Sequence, residues 1–361
     1  LADHPHLAGM GYQSTVCGLV PSELTERLRR ETPDLADARA FLFARHAMGQ
    51  AIHEAVPLFQ QVPPARRGFV LSTTKADIEA LERLYRGQLV SPAAQRHLQP
   101  GLLAEDLAVA HELQGPRQCV SAACISGLLA LQQGAALLRR GEADLVVVAG
   151  VDLASAFVLA GFTTLKSLDP QGCRPFDQAR VGLSLGEGAG AVVLARADLL
   201  PAPRLLLTGW GSSNDANHLT GPSRDGAGLA LAINRALAKA GAAPDTIDYL
   251  NAHGTGTAYN DAMESLAFRA VFGETVPPFS SSKGVLGHTL GAAGVLETIL
   301  CRLALEEGFL PGTPGLSVPD PLAPPSLLRE GREEPNARRV LKVNCGFGGT
   351  NAAVILEKEE V

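Results

Sequence analysis

Residues 115–152 read GPRQCVSAACISGLLALQQGAALLRRGEADLVVVAGVD, and this stretch decides the fold class. Residues 120–123 read as a short buried strand. Residues 126–140 carry apolar side chains at helical spacing and end at Gly141. Residues 144–151 form a β-branched run without polar alternation, the pattern of a strand buried on both faces of a parallel sheet. Strand, helix and strand in this order make a βαβ unit.

Working outward, the same alternation continues. On the C-terminal side the pattern predicts strands at 205–209, 246–251, 278–282, 339–344 and 351–357. Helices are predicted at 228–240, 261–272 and 291–307, the first of them stopped by Gly241. On the N-terminal side it predicts helices at 22–30, 37–56 and 75–85 and a strand at 69–74. Crossover helices between parallel strands imply a layered α/β architecture. The proline-rich stretch 311–325 cannot hold regular structure and reads as a surface connection.

Composition agrees and narrows the function. The chain has 361 residues, enough for two domains of roughly 150 residues each. Residues of the set AVILMFWYC make up 46% while aromatics are only 5%, so the core is built mainly from Ala, Leu and Val. A formal charge of −6 argues against a surface that wraps nucleic acid. Six cysteines without CxxC spacing remove the usual zinc and dithiol signatures and suit reduced thiols, so no metal is expected. The most apolar stretch, 145–165, is broken by Asp152 and falls short of the roughly 18 apolar residues of a membrane span. With no basic segment and apolar run at its start, the expected location is cytoplasmic, without membrane insertion.

Three residues carry the chemistry. Cys124 sits at a strand-to-helix junction, where unpaired helix N–H groups favour a thiolate. His253 lies in NAHGTGT after a buried strand, and His288 lies in SSSKGVLGHTLGAAG between a strand and a helix. Both occupy glycine-flanked loops at strand C-terminal ends, where open α/β sheets place ligand sites. A lone Cys in an alanine-rich turn is commonly packing, and a lone loop His is commonly solvated. Together they suit acyl transfer, with a thiolate to hold the acyl group and imidazoles to stabilise charge on a second carbonyl.

The strings GPRQCVSAACISG, RPFDQARVGLSLGEGAGAVVL, NAHGTGT, SSSKGVLGHTLGAAG and VNCGFGGTNAAVIL, in this order, resemble the β-ketoacyl-acyl carrier protein synthases. They span roughly residues 115–357. The resemblance implies the thiolase-like fold, five layers α-β-α-β-α made of two similar halves, here 1–204 and 205–361. It implies decarboxylative Claisen condensation in fatty acid or polyketide biosynthesis. Cys124 would hold the acyl group, while His253 and His288 would bind the malonyl thioester and stabilise its enolate. Lys283 matches the lysine of the family pattern and Glu297 the glutamate that pairs with it. The backbone N–H groups of Cys124 and Phe347 would form the oxyanion hole, with the Phe347 side chain gating the acyl pocket. Thr255, Thr257 and Thr220 would meet the phosphopantetheine arm. Substrates would arrive on that arm, with no permanently bound cofactor. The expected partners are acyl carrier protein and a second ketosynthase chain, identical or not. Because carrier proteins are acidic, a local basic patch is required, and Lys166 with Arg139 or Arg140 is the candidate.

The chain departs from the family pattern at Ala122, where Thr is usual, at Val181, where Asp is usual, and in a shorter N-terminal region. The string FVLSTTKADIEAL resembles, more weakly, ketosynthases of aryl-polyene pathways. Two other readings have their own marks. A noncatalytic chain-length subunit usually lacks the nucleophile, whereas a thiolase places a second Cys near the C-terminal glycine loop, close to Cys345.

Overall fold

The computed structural model describes the chain apart from His6, Ala8, residues 202–204 and residues 360–361. Two sheets organise it. The first contains β1 (Arg67–Ser72), β2 (Arg117–Val120), β3 (Leu145–Asp152) and β4 (Gly188–Ala195), in the order β2-β1-β3-β4. Its first three strands are parallel and β4 runs antiparallel to β3. The second contains β5 (Leu205–Asn214), β6 (Tyr249–Asn251), β7 (Phe279–Ser280), β8 (Arg339–Gly346) and β9 (Thr350–Lys358), in the order β7-β6-β8-β9-β5. Here β7, β6 and β8 are parallel and β9 antiparallel to β8, which repeats the first sheet, while β5 adds a fifth strand beside β9. The expected boundary between halves, 204/205, falls on residues 202–204 and lies outside the described residues.

Helices fill the space between and outside the sheets. Outside the first sheet, α1 (Arg39–Glu54) packs in one apolar cluster with Phe69, Leu71, Val147 and Ala149. Leading from this sheet are α2 (Ile78–Tyr85), α3 (Ser126–Arg139) and α4 (Ala156–Thr164). Outside the second sheet lie α5 (Ala227–Ala240) and α6 (Ala258–Phe272), packed with Leu341, Val343, Ala353 and Ile355. Between the sheets are α3 and α7 (Ala293–Glu307); their cluster joins Val146 and Val148 of the first sheet to Ala352 and Val354 of the second. The alternation of β3 is therefore buried on both faces, as its unbroken apolar run predicts. Five layers result.

The middle layer is tight enough to require glycine. A Cβ on Gly127 would lie 2.7 Å from the Val295 backbone nitrogen, and one on Gly294 would lie 2.5 Å from the Leu128 nitrogen. These are the second residues of α3 and α7, so the two helices cross at their N-terminal ends and bring together whatever precedes them.

Two local expectations need correction. The predicted strand 120–123 ends at Val120, because Ala123 adopts φ 48° and turns the chain to present Cys124. The predicted helix 75–85 begins only at Ile78. Within its intended first turn Ala76 adopts φ 50°, and the Thr73–Thr74 segment just before it is held by the Asp152 carboxylate, which accepts from the Thr74 backbone N–H at 3.0 Å and from the Thr73 and Thr74 hydroxyls at 3.1 and 2.8 Å. Among the described residues no helix is long and apolar enough to cross a membrane.

Candidate active site

Parallel strands of both sheets deliver their C-terminal ends to one place. Cys124 follows β2, His253 follows β6, Lys283 and His288 follow β7, and Phe347 follows β8. The Cys124 sulfur and a ring nitrogen of each histidine lie within 4.8 Å of one another, and all three residues are buried. Burial pushes the Cys124 thiol up to about 11, against the pull of Lys283, Lys75 and a hydrogen bond from the Phe347 backbone N–H. The resting group is thus a thiol, not the thiolate expected from its helix-start position, since desolvation here outweighs the stabilisation of charge. The Phe347 N–H, expected as an oxyanion donor, already points at the sulfur.

A buried network orients His253. Its Nδ1 faces the Asn344 Nδ2 at 2.9 Å and the Lys283 Nζ at 3.3 Å. The Asn344 amide is oriented by Glu297, whose Oε2 accepts from the same Nδ2 at 2.9 Å. Both neighbours of Nδ1 are therefore donors, so Nδ1 accepts and the proton resides on Nε2. Lys283 also donates to the His253 carbonyl at 2.7 Å and pairs with Glu297 Oε1. Lys342 pairs with Glu297 Oε2 at 2.8 Å. Burial would raise the Glu297 carboxyl, but the Lys283 and Lys342 ammonium groups bring it down to about 2. Both histidines are held neutral. Burial, then Lys283, takes His253 well below its ordinary value and His288 down to about 3. The His288 ring meets the His253 ring edge-on, with centroids 5.1 Å apart, and among the described residues neither of its nitrogens has a hydrogen-bond partner.

The loop carrying His253 is clamped from below. The Glu264 carboxylate accepts from the His253 and Gly254 backbone N–H groups, each at 2.7 Å. Asp261 accepts from Thr255 N–H at 3.1 Å and from Phe176 N–H at 2.7 Å. Arg180, of the RPFDQAR string, lies 3.4 Å from Asp261. Thus the second motif supports the third.

Above the three chemical groups opens a cavity of about 350 Å³. Thr220, Thr255 and Thr257 all line it, as do Phe162 and Phe347, whose rings stack with centroids 5.7 Å apart. Cys345 also lines the wall, but its apolar packing is with the outer cluster of the second half, not with the Cys/His/His set.

The expected basic patch does not assemble. Lys166 is exposed beside Leu165 and Ser167, which line the cavity. Arg139 and Arg140 lie at the opposite end of α3, about 20 Å from Cys124 along a 14-residue helix. There Arg139 covers the Trp210 ring and Arg140 pairs with Glu142. Closeness to Cys124 in sequence became distance because the helix runs away from the site.

Lys342, Asn344, Asp261 and Glu264 were not anticipated as site residues. A signal existed: a lysine and an asparagine two apart in the otherwise apolar strand LKVNCG, and two acids three apart on a helix directly after GTGT.

The sequence matches the family profile of the beta-ketoacyl synthase N-terminal domain over residues 35–199 and that of the C-terminal domain over residues 206–317. It is 36% identical to the tetracenomycin polyketide synthase ketoacyl synthase alpha subunit of Streptomyces glaucescens, covering 72% of this chain and 64% of that one. Among solved structures, the ishigamide ketosynthase/chain length factor is 32% identical with a TM-score of 0.88, covering 99% of this chain and 92% of the other. A ketosynthase in complex with its chain length factor from Xenorhabdus doucetiae is 31% identical with a TM-score of 0.78, covering 94% and 84%. The chain belongs to the β-ketoacyl synthase family and has its thiolase-like fold.

Proposed function

We propose that this β-ketoacyl synthase joins an acyl group held on Cys124 to malonyl-acyl carrier protein by decarboxylative Claisen condensation, in polyketide or fatty acid biosynthesis. The observation that carries the reading is the buried Cys124, His253 and His288 set within 4.8 Å, with the Asn344 amide nitrogen 2.9 Å from His253 Nδ1 so that Nε2 is left to face the cavity side. In the first step Cys124 attacks the thioester of the incoming acyl chain, and its proton ends on the departing pantetheine sulfur. In the second, malonyl thioester binds with its carbonyl oxygen at the neutral imidazoles. Loss of carbon dioxide leaves an enolate whose oxygen takes hydrogen bonds from them, a contribution of a few kcal/mol to the barrier. The enolate carbon then attacks the Cys124 thioester, and the N–H groups of Cys124 and Phe347 hold the resulting oxyanion. Collapse expels the Cys124 sulfur, which takes up one proton from solvent, the proton that decarboxylation of the malonyl carboxylate consumes overall.

Lys283 and Glu297 keep His253 oriented, while Thr220, Thr255 and Thr257 receive the phosphopantetheine arm, which brings every substrate without a permanently bound cofactor. Phe347, stacked on Phe162, gates the acyl pocket. The two halves, 1–204 and 205–361, share the site, and Lys166 is the remaining candidate for carrier contact. We infer a cytoplasmic enzyme that meets acyl carrier protein and pairs with a second ketosynthase chain, as the complexes of its structural relatives suggest. The alternative, a chain-length subunit without chemistry of its own, has the same relatives but leaves the intact catalytic set unused.

The test is direct. Incubation with an acyl-carrier thioester adds the acyl mass to Cys124, and addition of malonyl-carrier releases carbon dioxide and β-ketoacyl product. Absence of both from the chain alone and from its pair with a sister synthase overturns the reading.

A further inference from the structure

Lys342 is among the largest fully buried side chains, yet the condensation proposed above assigns it no step. It lies on β8, two residues before Asn344, so both side chains leave the strand on the face turned to α7 and Glu297. Its Nζ binds Glu297 Oε2 at 2.8 Å, the Ala252 carbonyl at 3.1 Å and the Asn251 carbonyl at 3.4 Å. These carbonyls belong to the two residues before His253. Moving a lysine out of water without purpose is costly, so a buried ammonium with one carboxylate and two carbonyls is a built feature.

We propose that Lys342 is a positioning residue that sets the His253 tautomer through Glu297 and Asn344. The two Glu297 oxygens are divided: Oε1 takes Lys283, while Oε2 takes Lys342 and the Asn344 amide. Asn344 spends one N–H on Glu297 and the other on His253 Nδ1. This arrangement exists only while Glu297 is an ionised acceptor. A protonated Glu297 donates to the Asn344 oxygen instead, the amide turns over, and its oxygen faces Nδ1. Nδ1 then carries the proton, and Nε2 becomes an acceptor unable to hydrogen-bond the enolate oxygen. Lys342 keeps the carboxylate ionised alongside Lys283, and as the second ammonium on one carboxylate it leaves the Lys283, Lys342 and Glu297 trio one positive charge in excess, which favours the anionic enolate. The charged and titratable groups around His253 are Lys283, Lys342, Glu297, His288, Cys124 and, at its backbone, Glu264.

The inference rests on the condensing activity proposed above, and the wild-type enzyme separates the two: if it does not decarboxylate malonyl-carrier protein, the functional reading fails before Lys342 is at issue. Given wild-type activity, Lys342→Met is expected to slow malonyl-carrier decarboxylation roughly 10- to 100-fold. Cys124 acylation, which does not use the His253 proton, stays within about threefold of wild type. In ¹⁵N-histidine NMR the His253 signal moves from the Nε2–H toward the Nδ1–H pattern. Decarboxylation at the wild-type rate, or an unchanged tautomer, overturns the proposal. So does equal loss of acylation and decarboxylation together with a lower Tm, which marks a purely structural lysine. Should Lys342→Met fail to fold, Lys342→Ala is assayed with ammonium chloride, the small cation being able to occupy the space between the carboxylate and carbonyls. Recovery with ammonium but not with tetramethylammonium at equal ionic strength supports the proposal, and no recovery overturns it.

Discussion

The two sheets share a strand order, and the same junction in each supplies opposite chemistry. In the first, β2 passes into α3 through a short turn bearing Cys124; in the second, β7 passes into α7 through a longer loop bearing Lys283 and His288. Gly127 and Gly294, each the second residue of its helix, place these junctions against one another. The cause acting on both is the same. Burial disfavours charge, so the thiol is pushed up to about 11 and the His288 imidazole down to about 3, and both rest neutral. The difference lies in the neighbours: the second half packs two lysines and a glutamate directly around His253, where the first sets Cys124 on a strained turn with Lys75 and Asp152 acting on it through charge. On the proposed function, a repeated scaffold thus gives one half that would hold an acyl group and one that would stabilise an anion.

The sharpest way to break this division is Cys124→Ala. Condensation should fall on the order of 10⁴-fold or more, with no acyl adduct by intact mass. Decarboxylation of malonyl-carrier, which the proposed function assigns to the second half, should persist; its loss would show that the halves are not separable. The reciprocal variant, His253→Ala, should reduce decarboxylation about 10²- to 10³-fold while Cys124 is still acylated from an acyl-carrier thioester. If acylation falls equally, the imidazole serves the first half as well.

Smaller effects distinguish the two titrations. With the thiol near 11, the rate of iodoacetamide alkylation at Cys124 should climb about tenfold per pH unit from pH 7 to 10. A plateau by pH 8 would mean that the helix start stabilises the thiolate more than burial opposes it. The second half titrates on the acid side. For His288, with a folded value near 3 and an ordinary value near 6.5, the unfolded chain binds more protons between these limits. Its stabilising contribution is complete above pH 6.5 and is lost as pH falls toward 3, with His253 acting in the same direction. Glu264, raised to about 7, opposes this between pH 7 and its ordinary 4.5, while Glu297, lowered to about 2, adds to the loss below 4.5. Tm should therefore fall most steeply below about pH 4.5, where the raised buried acids such as Glu264 and Asp77 cease to offset the loss, and an unchanged Tm between pH 4.5 and 3 would contradict the buried charge arrangement. Finally, Gly127→Ala should destabilise the fold by about 1–3 kcal/mol, read from denaturant unfolding, because its methyl group meets the α7 backbone. No change would mean that the middle layer can open.

The candidate residues at chain turns were the most legible. Cys124, His253 and His288 each follow a buried apolar run and stand among glycines, so their position at strand ends follows from local pattern. Lys342 and Asn344 were hidden inside a strand, where only pairing with β6 and packing on α7 reveal that they face His253 and Glu297. Arg139 and Arg140 misled for the complementary reason: neighbours of Cys124 along the chain, they are carried to the far end of α3. The proton on His253 Nε2 was likewise unreadable, because it depends on an asparagine 91 residues away.

The amino-acid sequence by itself determined the alternating α/β order and the family and pointed to the three candidate chemical groups, since periodicity, glycine stops and motif order are local properties of the chain. Only the tertiary structure decided which charges share the site, which tautomer His253 holds and whether Cys124 rests as a thiol. Those depend on burial and on distances between residues remote in sequence, because the energy of a charge is set by what surrounds it in space.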